Sequence, residues 1–149
     1  MQNQGVNEGS GSLSRPIPPS VPHLRVLVAD DDPEMLETVA DALERSGHQV
    51  VRATSGAELI DQLASEGPFD LIVSDVSMPW MDGLKTLRSM RTAGVATPVI
   101  VMTALRGERI PTQVQALGPN AVLLQKPFDL DQLESAIARL SFETASRRR

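Results

Sequence analysis

Apolar residues along this chain fall into two alternating rhythms. Short, mainly apolar runs rich in Val, Ile and Leu occupy Leu24 to Ala29, Gln49 to Ala53, Leu71 to Ser74, Val99 to Met102 and Ala121 to Leu124. Short runs that are apolar at successive positions predict strands buried on both faces. After each run, apolar residues recur at spacings of three and four: Leu36, Val39, Ala40 and Leu43; Leu59, Ile60 and Leu63; Leu84, Leu87 and Met90; Ile110, Val114 and Leu117; Leu130, Leu133, Ile137 and Leu140. That spacing lines one face of a helix. The pattern predicts five βα units.

The punctuation agrees with those boundaries. Asp32-Pro33 places an N-cap before a proline at the first helical position, and Gly47 closes the same helix. Ser55 with Glu58, and Asp129 with Gln132, have capping-box spacing, while Gly118-Pro119 ends the fourth helix. Gly107 and Pro111 near the start of that helix predict that it begins late and is short.

Strands that are apolar on both sides and joined by helices imply a parallel sheet covered on both faces. Right-handed crossovers make a doubly wound α/β sheet the economical topology, taken here in the five-stranded parallel order 2-1-3-4-5 of the flavodoxin-like arrangement. In that order the chain reverses direction between the first and third strands, and ligands bind outside the carboxyl ends there. Asp30 and Asp31 follow the first strand, Asp75 the third, Thr103 the fourth and Lys126 the fifth. One edge therefore gathers carboxylates, a hydroxyl and an ammonium.

Two carboxylates about 4 Å apart repel by roughly 4 kcal/mol at an effective dielectric near 20, so the cluster asks for a proton or a counter-cation. Oxygen-only ligands suit Mg²⁺, which accepts one or two protein carboxylates and fills its other positions with water or phosphate oxygens. Thr103 is placed to donate to a phosphoryl oxygen, and Lys126 to pair with another. One carboxylate is then available as a nucleophile that forms an aspartyl phosphate.

Composition and charge narrow the partners. A chain of 149 residues with 41% hydrophobic residues holds one core. Residues 1–23, rich in Gly, Ser, Asn and Pro, predict a disordered arm, and residues 24–142 the folded domain. The arm lacks the apolar stretch of about 7 to 15 residues of a secretory signal, and no run approaches the roughly 18 apolar residues of a bilayer span. A cytoplasmic protein without membrane insertion is expected. There are no cysteines, which excludes disulfides and thiolate metal sites. Between Leu24 and Glu143 ten Lys and Arg face eighteen Asp and Glu, a formal charge of −8. Such a surface offers nucleic acid little to hold. The remaining basic residues are Arg15 in the arm and Arg147 to Arg149 in the tail spanning 143–149, which reads as a solvated end.

The stretches VLVADDDPEML and DVSMPWMDG, the pair Thr103-Ala104 and the triplet Lys126-Pro127-Phe128 together resemble the receiver domain of bacterial two-component response regulators. The four motifs occur in order at the ends of strands one, three, four and five, and the resemblance spans Leu24 to about Phe142. It implies that Asp75 is the phosphoacceptor and also a metal ligand, that Asp31 ligates Mg²⁺ (or Mn²⁺) directly and Asp30 through a water, and that the backbone carbonyl of Ser77 completes the protein ligands. It further implies that Thr103 follows the phosphoryl group, that Lys126 pairs with it, and that the Lys126-Pro127 bond is cis. The donor implied is a histidine kinase or histidine phosphotransfer protein.

Other residues at this edge read more plainly. Asp32 and Asp82 are expected to cap helices, Met78 and Phe128 to pack, Pro79 and Gly83 to shape the loop after Asp75, and His23 and His48 to have no catalytic part. Trp80 sits in that loop either as a partner anchor or packed on its own segment.

The chain departs from the family twice. Many receivers carry Tyr or Phe three residues before the lysine; here that position is Leu123, or Val122 if the segment from Gly118 to Lys126 is a residue longer than usual. The usual readout through the fourth helix, fifth strand and fifth helix therefore does not carry over, and a monomer or weak dimer is expected. Only seven residues follow Phe142, so the chain reads as a single-domain receiver whose output is a partner protein of unknown identity. Two rivals share parts of the pattern. A Mg²⁺-dependent phosphatase or phosphotransferase working through an aspartyl phosphate would want an acid/base carboxylate two residues beyond Asp75, where Ser77 stands. A pseudo-receiver acting only as a binding module would not need the intact set of Asp30, Asp31, Asp75, Thr103 and Lys126.

Overall fold

The computed structural model describes residues 23–76, 83–107, 109–140 and 142. Five strands, β1 (Arg25–Ala29), β2 (Gln49–Ala53), β3 (Leu71–Asp75), β4 (Val99–Thr103) and β5 (Ala121–Gln125), alternate with helices α1 (Pro33–Arg45), α2 (Gly56–Glu66), α3 (Gly83–Thr92), α4 (Arg109–Gln115) and α5 (Leu130–Ala138). All strand pairings are parallel, in the order β2-β1-β3-β4-β5. This is the expected doubly wound α/β arrangement.

Successive residues of the strands face opposite sides, and both sides are covered. Val26, Val28, Leu71, Val73, Ile100, Met102, Val122 and Leu124 pack with Leu36, Val39 and Leu43 of α1 and Leu133 and Ile137 of α5. Leu27, Ala29, Ile72, Val99 and Val101 pack with Leu59 of α2, Leu84 and Leu87 of α3 and Val114 of α4. The central strands β3 and β4 are buried at every position, which is why they read as unbroken apolar runs. Edge strand β5 is buried only at alternate positions.

The helix ends follow the local chemistry of the chain. Asp32 caps α1 by accepting from the N–H of Glu34 at 3.0 Å, with Pro33 in the first turn. At the other end Gly47 takes φ +95°, its N–H donates to Glu44 O, and His48 N–H donates to Leu43 O: a Schellman ending that needs a residue tolerant of positive φ. Asp129 and Gln132 form a full capping box at α5. At α2 only half of one forms. Ser55 accepts from Glu58 N–H, but the Glu58 carboxylate turns to the N–H and hydroxyl of Thr54. Helix α4 has seven residues and carries Pro111 in its first turn, where no intrahelical donor is required.

One polar residue in the core is not explained by strand or cap patterns. His48, 6% exposed, accepts the N–H of Leu24 on Nδ1 at 3.0 Å and so ties the end of α1 to the start of β1. Burial pushes its pKa below the ordinary histidine value, and the charge of His23 acts in the same direction. Among the described residues no helix is long and apolar enough to cross a membrane. Of the arm predicted over 1–23 only His23 is described, and the tail at 143–149 lies outside the described residues.

Candidate phosphoacceptor and metal site

The parallel register brings the carboxyl ends of the strands to one edge. Beyond β1, Asp30 extends the ladder by one bond, its N–H donating to Ala53 O at 3.1 Å. Its side chain is fully buried, and both oxygens are engaged: Oδ1 accepts from Asp32 N–H at 3.0 Å and Oδ2 from Lys126 Nζ at 2.8 Å. The first of these bonds folds the chain into the turn that starts α1, which is how Asp32 leaves the site to become a cap.

Asp75 ends β3 and is 4% exposed; Asp31 is exposed to solvent. Asp30, Asp31 and Asp75 each present a carboxylate oxygen within 4.8 Å of the other two. Lys126 follows β5, where its N–H donates to Thr103 O at 2.7 Å. Its ammonium stands 2.8 Å from Asp30 and 3.7 Å from Oδ2 of Asp75. At an effective dielectric near 20 the shorter pair attracts by roughly 6 kcal/mol before desolvation, which offsets much of it.

Three carboxylates against one ammonium leave two formal negative charges in a largely buried corner. A divalent cation neutralises that excess. Oxygens on opposite sides of a Mg²⁺ lie about 4.2 Å apart, so the donor set fits one such ion when a carboxylate acts through water. Asp30, with both oxygens already bonded, is the one suited to a water-mediated part. No cysteine or neighbouring histidine adds a softer ligand, and the hard oxygen set favours Mg²⁺ or Mn²⁺.

Thr103, fully buried, lies one residue beyond Met102, the register partner of Asp75. Its Oγ1 accepts from Leu105 N–H at 2.9 Å. Among the described residues, the predicted Asp30, Asp31, Asp75, Thr103 and Lys126 thus share one edge, with Asp30, Asp31, Asp75 and Lys126 in one cluster. Ser77 lies outside the described residues, as do Met78, Pro79, Trp80 and Asp82. The Lys126-Pro127 bond is cis, as the resemblance implies.

A sequence model of the response regulator receiver domain matches residues 26–138. The chain belongs to that family. Among curated proteins, the receiver is 38% identical over 111 residues to the response regulator MprA of Mycobacterium avium, covering 74% of this chain and 47% of that protein. The same holds for MprA of Mycobacterium tuberculosis, so the chain spans about half the length of the curated relatives it matches. Among solved structures it is similar to the chemotaxis response regulator CheY4 of Vibrio cholerae, with a TM-score of 0.70 at 28% identity, covering 79% of this chain and 98% of that one. The receiver domain of Francisella response regulator 1452 gives a TM-score of 0.68 at 28% identity, over 77% and 93% of the two chains.

Leu123 and Val122 stand out in the sequence, whereas the contacts of Gln125 do not. Along β5, Val122 and Leu124 face the α1 and α5 side, while Leu123 packs with the α2, α3 and α4 side. Two residues beyond Leu123 on the alternating strand, Gln125 turns its carboxamide onto the β4–α4 loop, donating to Thr103 O at 2.9 Å and to Leu105 O at 3.1 Å. The signal available was a single polar residue closing an apolar run.

Proposed function

We propose that this receiver takes a phosphoryl group from the phosphohistidine of a histidine kinase or histidine phosphotransfer protein onto Asp75, with Mg²⁺ or Mn²⁺ bound, and signals in the cytoplasm through a partner protein. The observation that carries the reading is the convergence of three carboxylates within 4.8 Å, with the Lys126 ammonium between two of them. An Asp75 oxygen attacks phosphorus, the P–N bond to imidazole breaks, and the histidine nitrogen keeps the bonding pair. The cation supplies neutralisation of charge on the transferring oxygens.

The protein's own residues do the rest by position. Asp31, exposed at the mouth, and Asp75 would hold the ion together with the Ser77 carbonyl that the resemblance implies, and Asp30 would act through water. Lys126 exchanges part of its bond to Asp30 for a phosphoryl oxygen, as a point charge on a flexible stem allows. Thr103 donates its hydroxyl proton to another phosphoryl oxygen. Later attack by water on phosphorus returns Asp75 to the carboxylate. The acidic surface supports a protein partner over direct nucleic-acid contact.

An acyl phosphate differs chemically from a phosphoester, and the difference tests the reading. Incubation with labelled acetyl phosphate should label the protein with Mg²⁺ present and not with EDTA, and mild alkali should release the label. No labelling, or a label stable to alkali, would overturn it.

A further inference from the structure

We propose that Gln125 is a positioning residue for Thr103, acting through the backbone of Leu105; the inference rests on Asp75 being the phosphoacceptor. The contacts form a closed circuit. Leu105 N–H donates to Thr103 Oγ1 at 2.9 Å, and Leu105 O accepts from Gln125 Nε2 at 3.1 Å. The same Nε2 donates to Thr103 O at 2.9 Å. One carboxamide therefore grips the loop on both sides of Ala104 and holds the N–H that orients the threonine hydroxyl. With a lone pair of Oγ1 taken by Leu105, the hydroxyl keeps its own proton to donate at the strand edge where Asp75 lies.

Secondary structure alone does not call for this grip. Thr103 O already accepts Lys126 N–H at 2.7 Å, so the ladder between β4 and β5 is complete without the side chain. Leu105 is 52% exposed, and water can serve its carbonyl. Removing the carboxamide leaves no buried polar group stranded, and the stability cost is small. Its effect on the direction of the Thr103 hydroxyl is larger, since reactions of this kind are sensitive to displacements of about 1 Å. Gln125 also neighbours Lys126 in the chain, so the ammonium and the hydroxyl are set by adjacent residues of β5 and its exit.

This positioning role differs from a merely structural one in a double-variant cycle. The rates at which Asp75 gains a phosphoryl group from acetyl phosphate and loses it again would be followed by intact mass. Wild type, Gln125→Leu, Thr103→Ala and the double variant would be compared, with melting temperatures alongside. Gln125→Leu should shift the rates in the same direction as Thr103→Ala, by roughly three- to tenfold. The double variant should go no further than Thr103→Ala alone, and the melting temperature of Gln125→Leu should stay within a few degrees of wild type. Gln125→Glu, which keeps the shape and removes both donors, should reproduce the effect. Rates at the wild-type level in both Gln125 variants, or losses that add in the double variant, would overturn the proposal. A wild type that gains no phosphoryl group would overturn the phosphoacceptor reading itself.

Discussion

Lys126 is the cation that makes a fully buried Asp30 tolerable, standing 2.8 Å from it and 3.7 Å from Asp75. Removing one partner of a buried pair leaves the other charge uncompensated, at a cost of about 3 kcal/mol. Lys126→Ala should therefore melt well below wild type without divalent cation, and added Mg²⁺ should raise its melting temperature by more than it raises that of wild type, because binding stabilises by mass action. Equal Mg²⁺ shifts in thermal melts of the two proteins would contradict the shared electrostatic role. The pairing of Asp30 with a residue 96 positions away was beyond sequence reasoning, which assigns residues to an edge without saying which oxygens meet. The destination of Asp32 was readable, because a proline directly after an aspartate is a helix start whatever the tertiary context.

The elements were legible where burial is complete and less so where it is partial. Strands β3 and β4, buried throughout, announce themselves as apolar runs, whereas their last residues, Asp75 and Thr103, are polar and show only by register that they still belong to the strands. Caps were legible when side chain and backbone agree. At α5 both halves of the box form, so Asp129→Ala should lower stability by about 1 kcal/mol in denaturant unfolding while leaving the phosphorylation rate of Asp75 unchanged. At α2 the Glu58 carboxylate chose Thr54 instead, a preference invisible in spacing alone. His48 was missed for a related reason, since its value to the fold lies in one bond to Leu24 across two elements. Its pKa is lowered from 6.5 in the folded state, which favours the neutral ring. The stability this contributes is present above pH 6.5 and is lost as pH falls from there toward the folded-state value. Between pH 7.5 and 5.5 the melting temperature of wild type should fall by more than that of His48→Gln. Glu44, held low by Arg52, and Glu58, held low by Thr54, titrate below that window and do not blur the comparison.

For the whole molecule, the alternation of two hydrophobic periods was enough to predict a doubly wound parallel sheet, since right-handed crossovers leave few ways to cover both faces, and the order 2-1-3-4-5 is one of the common ones. Topology then brings Asp30, Asp31, Asp75, Thr103 and Lys126 to one edge although up to 96 residues separate them. What topology could not supply is the link from the site outward. Leu123 packs where an aromatic is common in related receivers, and Gln125 holds the loop from the same strand through hydrogen bonds that no periodicity encodes. Every step outward from the site depends on Asp75 accepting a phosphoryl group in this acidic, lysine-bridged corner. The most direct measurement is intact mass after incubation with acetyl phosphate and Mg²⁺, for wild type and Asp75→Asn side by side. Wild type should gain one phosphoryl group and the variant none; equal gain by both, or none by wild type, would rule out Asp75 as the acceptor.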